Sequence, residues 1–142
     1  MDDYFSRSVE DTEKFAEEFS KKLTGNEIIA MYGGLGAGKT SFTRGLARGL
    51  EIEDSVSSPT FAIVNEYSGI YPLYHFDMYR ITSAEELETT GFYDYPLEDS
   101  VFALEWSENI SQELAEDTIY IDIQRIDDET RLITVKGDER FC

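Results

Sequence analysis

The chain of 142 residues holds one cysteine, one histidine, one tryptophan and three prolines. A lone cysteine, Cys142, excludes an internal disulfide framework and a Cys-based zinc site, and so points to a reducing compartment. The prolines Pro59, Pro72 and Pro96 are scattered. With no repeat, low-complexity tract or Pro/Gly/Ser-rich linker, one domain over residues 1–142 is expected. Basic residues are also scarce: 12 Lys and Arg stand against 30 Asp and Glu, a net charge of −18. That balance disfavours a stand-alone nucleic-acid binder, whose affinity comes largely from cations displacing phosphate counterions. It equally disfavours docking on anionic membranes. No run approaches the roughly 18 apolar residues of a membrane span. The N-terminal MDDYFSRSVE is acidic and polar, unlike a secretory leader, and the cytoplasm is the expected location.

Core material is plentiful. Hydrophobic residues make up 41% of the chain, nine Phe and nine Tyr among them, which predicts a folded, soluble protein. Ser8-Val9-Glu10-Asp11 has capping-box spacing, and Phe15, Ala16, Phe19 and Leu23 recur at helical intervals, predicting a helix over residues 9–23 that ends before Gly25. Residues 28–32 read as a strand buried on both faces, and residues 39–50 as a second helix. Residues 61–67 and 71–78 predict a β-hairpin around Ser68-Gly69, and Ser83 to Glu86 open a short acidic helix closed near Gly91. Residues 101–104 form another buried strand ended by Glu105 and Trp106; residues 118–126 and 130–135 alternate as a C-terminal hairpin. Helices alternating with strands early, then hairpins, point to an α/β fold with a mixed, mostly parallel sheet and antiparallel hairpin additions.

Between the first buried strand and the second helix lies Gly33-Gly34-Leu35-Gly36-Ala37-Gly38-Lys39-Thr40, which satisfies G-x-x-x-x-G-K-[ST] in the strand–loop–helix context that motif requires. Glycines let successive backbone N–H groups turn inward around phosphate oxygens, and the helix that begins at Lys39 and Thr40 and continues through Ser41 points its positive end at the same anion. Lys39 is expected to reach the β- and γ-phosphates, and the Thr40 hydroxyl to ligate Mg²⁺. Glu105, ending a buried strand, stands where ligands of α/β sheets gather and where a Walker B acid sits; spacing alone also allows a solvent-facing carboxylate. Asp77, in His75-Phe76-Asp77-Met78-Tyr79-Arg80, serves either a catalytic task or an ion pair with Arg80. His75 reads as a structural hydrogen-bonding residue and Trp106 as packing. Ser58-Pro59-Thr60 is a polar turn, or a loop whose hydroxyl senses a γ-phosphate. Arg125 and Arg131 of the C-terminal hairpin could contact base, partner or nothing.

Taken together these stretches resemble the TsaE (YjeE) family, small bacterial ATPases needed to make threonylcarbamoyladenosine in tRNA. The family pattern runs GDLGAGKT, SPT plus an aromatic, HFDxYR, EELE ahead of a glycine, and a strand ending EW. Here those are Gly33 to Thr40, Ser58 to Phe61, His75 to Arg80, Glu85 to Glu88 with Gly91, and Glu105-Trp106. The resemblance covers roughly residues 8–106 and departs from the pattern at Gly34, where the family usually has Asp.

The resemblance implies a P-loop NTPase-like three-layer fold with a mixed seven-stranded sheet, Mg²⁺ and ATP binding, and slow ATP hydrolysis raised by partner proteins. By position, Thr40 and Glu105 would hold Mg²⁺, and Asp77 would position or activate water. Thr60 would lie in a nucleotide-sensitive loop, and Trp106 would support the nucleotide. The implied partners are TsaD and TsaB, whose heterodimer attaches the threonylcarbamoyl group to the adenosine next to the anticodon. At −18 the chain is expected to meet tRNA only indirectly, through that complex. Two other readings share the phosphate loop: a nucleotide-dependent switch that tolerates loss of Asp77, and a small-molecule kinase, which the scarcity of arginines and of a basic lid disfavours.

Overall fold

The computed structural model describes residues 2–33, 37–53, 64–77, 98–105 and 118–137. Its elements are β1 (Asp2–Ser6), α1 (Val9–Ser20), β2 (Glu27–Tyr32), α2 (Lys39–Gly49), β3 (Val64–Tyr67), β4 (Leu73–Asp77), β5 (Val101–Glu105), β6 (Ile119–Arg125) and β7 (Arg131–Lys136). The strands make one seven-stranded sheet in the order β1-β7-β6-β2-β5-β4-β3. The four central strands β6, β2, β5 and β4 run parallel; β3 adds antiparallel to β4, β7 antiparallel to β6, and β1 antiparallel to β7.

The sequences of β2 (EIIAMY) and β5 (VFALE) explain their central place. They carry apolar side chains to both faces, and every β5 residue is buried. On one face Ile29, Met31, Val101, Ala103, Ile121 and Ile123 pack beneath α1 and α2. On the other, Ala30, Phe76, Phe102 and Leu104 form a second cluster. Of the expected three layers, the described residues supply the sheet and one helical layer. No helix among them is long and apolar enough to cross a membrane.

The helical layer is built by contact at backbone distance. A Cβ at Gly45 of α2 would lie 2.2 Å from the Glu13 carbonyl oxygen and 2.6 Å from Ala16 Cβ, both on α1. One turn later, Gly49 faces Ser20 and the Glu17 carbonyl in the same way. Phe42 fills the space beyond, with the Phe15 and Phe19 rings 6.2 and 5.7 Å away. Arg48 reaches back to Glu13 at 2.6 Å and Glu17 at 3.6 Å.

Three local features differ from the sequence expectation. Helix α1 stops at Ser20 and not at residue 23, because the chain tightens into i→i−3 bonds: Lys22 N–H donates to the Phe19 carbonyl and Leu23 N–H to that of Ser20. Leu23 is still buried, so its helical spacing reflects burial in the turn that follows. Strand β1 was not expected at all. It pairs antiparallel with β7, Asp2 opposite Val135 and Ser6 opposite Arg131. Glu27, which opens β2, is buried and accepts hydrogen bonds from Thr24 N–H (2.8 Å), the Thr24 hydroxyl (3.0 Å) and Gly25 N–H (2.9 Å). The expected acidic helix after Ser83 lies outside the described residues.

Candidate nucleotide-binding site

The phosphate loop leaves β2 at Gly33 and enters α2 at Lys39. Gly33 (φ +150°) and Gly38 (φ +115°) take backbone conformations that side chains disfavour, and a Cβ on Gly33 would lie 2.6 Å from the Ile123 carbonyl oxygen. Only glycine fits that turn.

The two helices treat their N-termini oppositely. Ser8 caps α1, accepting from Asp11 N–H, and Glu10 and Asp11 place carboxylates in its first turn. At α2 the cap is Gly38, which has no side chain to offer, and no acid occupies the first turn. In a chain at −18 that omission leaves the positive end of α2 available to an anion from outside. Lys39, Thr40 and Ser41 all lie in that turn, and Lys39 Nζ donates to the Gly33 carbonyl at 2.6 Å, placing its ammonium at the start of the loop.

Parallel pairing carries two acids to the same end of the sheet. Glu105 lies opposite Met31 of β2 on one side and opposite Asp77 of β4 on the other, one strand from the phosphate loop. The Glu105 side chain is 10% exposed, so it is not a solvent-facing carboxylate. His75 Nε2 lies 3.3 Å from Glu105 Oε2, and the ring is fully buried. The sequence suggested a structural hydrogen-bonding histidine, yet neither ring nitrogen has a hydrogen-bond partner among the described residues. The approach to Glu105 is close enough for electrostatic attraction but poorly aligned for a hydrogen bond.

The sequence did not single out what lies on the other side of the loop. A cavity of about 380 Å³, within the range of ligand pockets, is bounded by Arg7 and Ser8 before α1, Gly38 and Ser41 of the loop and α2, and Asp128 and Arg131 of the β6–β7 hairpin. Arg131 braces this corner: Nε donates to the Ala37 carbonyl at 2.9 Å and an Nη to that of Asp127 at 2.8 Å. The turn is shaped by Asp127, whose carboxylate accepts from Glu129 and Thr130 N–H groups at 2.9 and 2.8 Å. Those bonds hold the Asp127 carboxyl below its usual pKa, the Thr130 amide contributing most.

The structure thus brings together Gly33, Ala37, Gly38, Lys39, Thr40 and Ser41, and sets Glu105 and the Asp77 backbone in adjacent strands beside them. Gly34, Leu35, Gly36, Thr60 and Trp106 lie outside the described residues, as does Arg80.

A family model described as threonylcarbamoyl adenosine biosynthesis protein TsaE matches residues 6–133. The chain belongs to the TsaE family. Curated relatives called tRNA threonylcarbamoyladenosine biosynthesis protein TsaE include one from Treponema pallidum, 37% identical over 130 residues, covering 92% of this chain and 96% of that one. The Haemophilus influenzae TsaE is 43% identical, with 81% of this chain and 74% of that one covered. The crystal structure of Bacillus subtilis YdiB superposes with a TM-score of 0.74 at 30% identity, covering 98% of this chain and 87% of that one. The match to the TsaE model includes β6 and most of the β6–β7 hairpin as well as the phosphate loop.

Proposed function

We propose that this chain binds Mg²⁺ and ATP at the α2 N-terminus, hydrolyses the ATP slowly, and thereby supports threonylcarbamoyladenosine modification of tRNA together with TsaB and TsaD. The observation that carries the reading is the uncapped, acid-free start of α2 behind Gly33 and Gly38, with Lys39 at the loop and Glu105 one strand away. Family membership supports the role in tRNA modification.

The residues fit the ligands. Backbone amides of the loop and first turn would take phosphate oxygens, and Lys39 would move from the Gly33 carbonyl to the β- and γ-phosphates. The nucleoside would enter the cavity between the α1 N-terminus and the β6–β7 hairpin, which adjoins Gly38 and Ser41. Thr40 and Glu105 would hold Mg²⁺, which would neutralise negative charge on the phosphates. Mg²⁺ is usually held by one or two carboxylates plus phosphates, so two protein ligands suffice. Asp77 would orient the attacking water. The charge of −18 favours action through protein partners over a direct grip on tRNA.

The test is steady-state ATP hydrolysis, alone and with purified TsaB and TsaD, for the wild type, Lys39→Ala, Asp77→Ala and Glu105→Ala. Stimulation by the partners that all three substitutions abolish is the expected result. ATP binding without stimulation favours the switch or kinase readings, and undiminished ATP and GTP binding by Lys39→Ala overturns the site. A gel shift at low salt checks the tRNA expectation, which submicromolar binding by the isolated chain would refute.

A further inference from the structure

His75 has no task in the function proposed above, yet it occupies a costly position. Its ring is fully buried on the helix-bearing face, and a leucine would fill similar space without leaving two ring nitrogens that have no hydrogen-bond partner among the described residues. Such buried polar atoms are uncommon enough to require a reason. The register supplies one. His75 lies opposite Ala103, whose small side chain leaves room for the imidazole, and Glu105 stands two residues farther along the same strand. Side chains in strands lean along the strand direction, and Nε2 of His75 ends 3.3 Å from Glu105 Oε2.

We propose that His75 is a positioning residue for Glu105: its Nε2 side restrains one carboxylate oxygen and so directs the other toward the divalent cation that accompanies the nucleotide. This rests on Glu105 being a cation ligand. The physical basis is general: a ligand whose outer partner is removed typically loses 10- to 100-fold in metal affinity, because the carboxylate must then be ordered on binding.

The test uses the whole chain with saturating ADP and Mn²⁺ as the probe cation, free Mn²⁺ being counted by its EPR signal. ADP affinity in EDTA is measured separately with a fluorescent ADP analogue. His75→Leu should weaken Mn²⁺ binding about tenfold while leaving cation-free ADP affinity unchanged. His75→Gln, whose amide nitrogen can stand near the Nε2 position, should restore most of the loss. His75→Asn, which stops short of Glu105, should behave like the leucine variant and replaces it if that one does not fold. In a Glu105→Gln background, His75→Leu should add nothing further. Wild-type Mn²⁺ affinity in His75→Leu, or an equal loss on top of Glu105→Gln, overturns the proposal. If Glu105→Gln itself leaves Mn²⁺ binding intact, the cation role of Glu105 fails and the positioning role falls with it. That outcome is distinguishable from the case in which Glu105→Gln weakens the cation and His75→Leu does not.

Discussion

Substituting Gly45 by alanine sets two opposing effects against each other, and the geometry decides between them. Alanine in a helix interior is favoured over glycine by about 1 kcal/mol, so propensity alone predicts a more stable protein. The new Cβ, however, would sit 2.2 Å from the Glu13 carbonyl oxygen, about 1 Å inside the closest ordinary carbon–oxygen contact. A backbone carbonyl cannot rotate away, so α2 must shift from α1, loosening the Phe15, Phe19 and Phe42 cluster and the Arg48 pairs. Overpacking of this kind costs about 1–3 kcal/mol, and a backbone obstacle belongs at the upper end. The net expectation is a loss of about 1–2 kcal/mol, read in thermal unfolding as a fall of about 3–8 °C for a chain of this size. Gly49→Ala should cost less, because its backbone obstacle, the Glu17 carbonyl oxygen, would lie 2.7 Å away where that of Gly45 lies at 2.2 Å, and the nearer Ser20 hydroxyl can rotate aside. Since α2 carries Lys39 and Thr40, the Gly45 variant should also bind a fluorescent ATP analogue more weakly. A rise in melting temperature for Gly45→Ala, or a larger fall for Gly49→Ala, would refute the reasoning.

Glu27→Ala removes the acceptor of three hydrogen bonds at the start of β2 and should destabilise the fold by about 3 kcal/mol, measured by urea unfolding. Tyr4→Phe removes a hydrogen bond from the tyrosine hydroxyl to Asp11. That bond, with the Arg7 amide second, depresses the Asp11 carboxyl; the same bond, with burial second, raises the Tyr4 phenol. The lowered Asp11 value gives stability present above the ordinary aspartate pKa of about 3.9 and lost as pH falls through the folded-state value. The raised Tyr4 value gives stability present below about 10 and lost as pH rises through its folded-state value. The melting temperatures of wild type and Tyr4→Phe should therefore differ at neutral pH and converge at both extremes; a constant offset across the range counts against the linkage. Arg131→Ala should weaken binding of a fluorescent ATP analogue several-fold by releasing the Ala37 carbonyl, whereas Arg125→Ala, at the exposed end of β6, should leave binding within twofold.

The parts legible in the sequence were those set by local pattern. The G-x-x-x-x-G-K-T spacing fixes backbone shape, and the doubly apolar runs at residues 28–32 and 101–104 could only be interior strands, so loop, α2, β2 and β5 were readable, with Glu105 at the end of β5. Strand β1 was hidden because Asp2 and Asp3 are poor strand formers and its partner lies at the far end of the chain. The cavity beside the loop was hidden for a related reason: Arg7, Ser8, Ser41 and Arg131 come from separate segments that only the tertiary fold joins. The approach of His75 to Glu105 carries no sequence signal either, since it follows from the register of β4 against β5.

The strand order has a consequence for synthesis. As the chain emerges from the ribosome, α1, β2 and α2 arrive first, but β2 finds no neighbouring strand until Val101 onward is made. The first strand must wait longer, for residues 131–135. The phosphate-loop motif is therefore among the earliest segments made, while Glu105 beside it and Arg131 behind it come much later. Such long-range pairings fold slowly, because loop closure must precede the contacts that reward it. A nascent chain cut before β7 lacks Arg131 and the strand that pairs with β1, so the corner behind the phosphate loop is completed only when synthesis is nearly done.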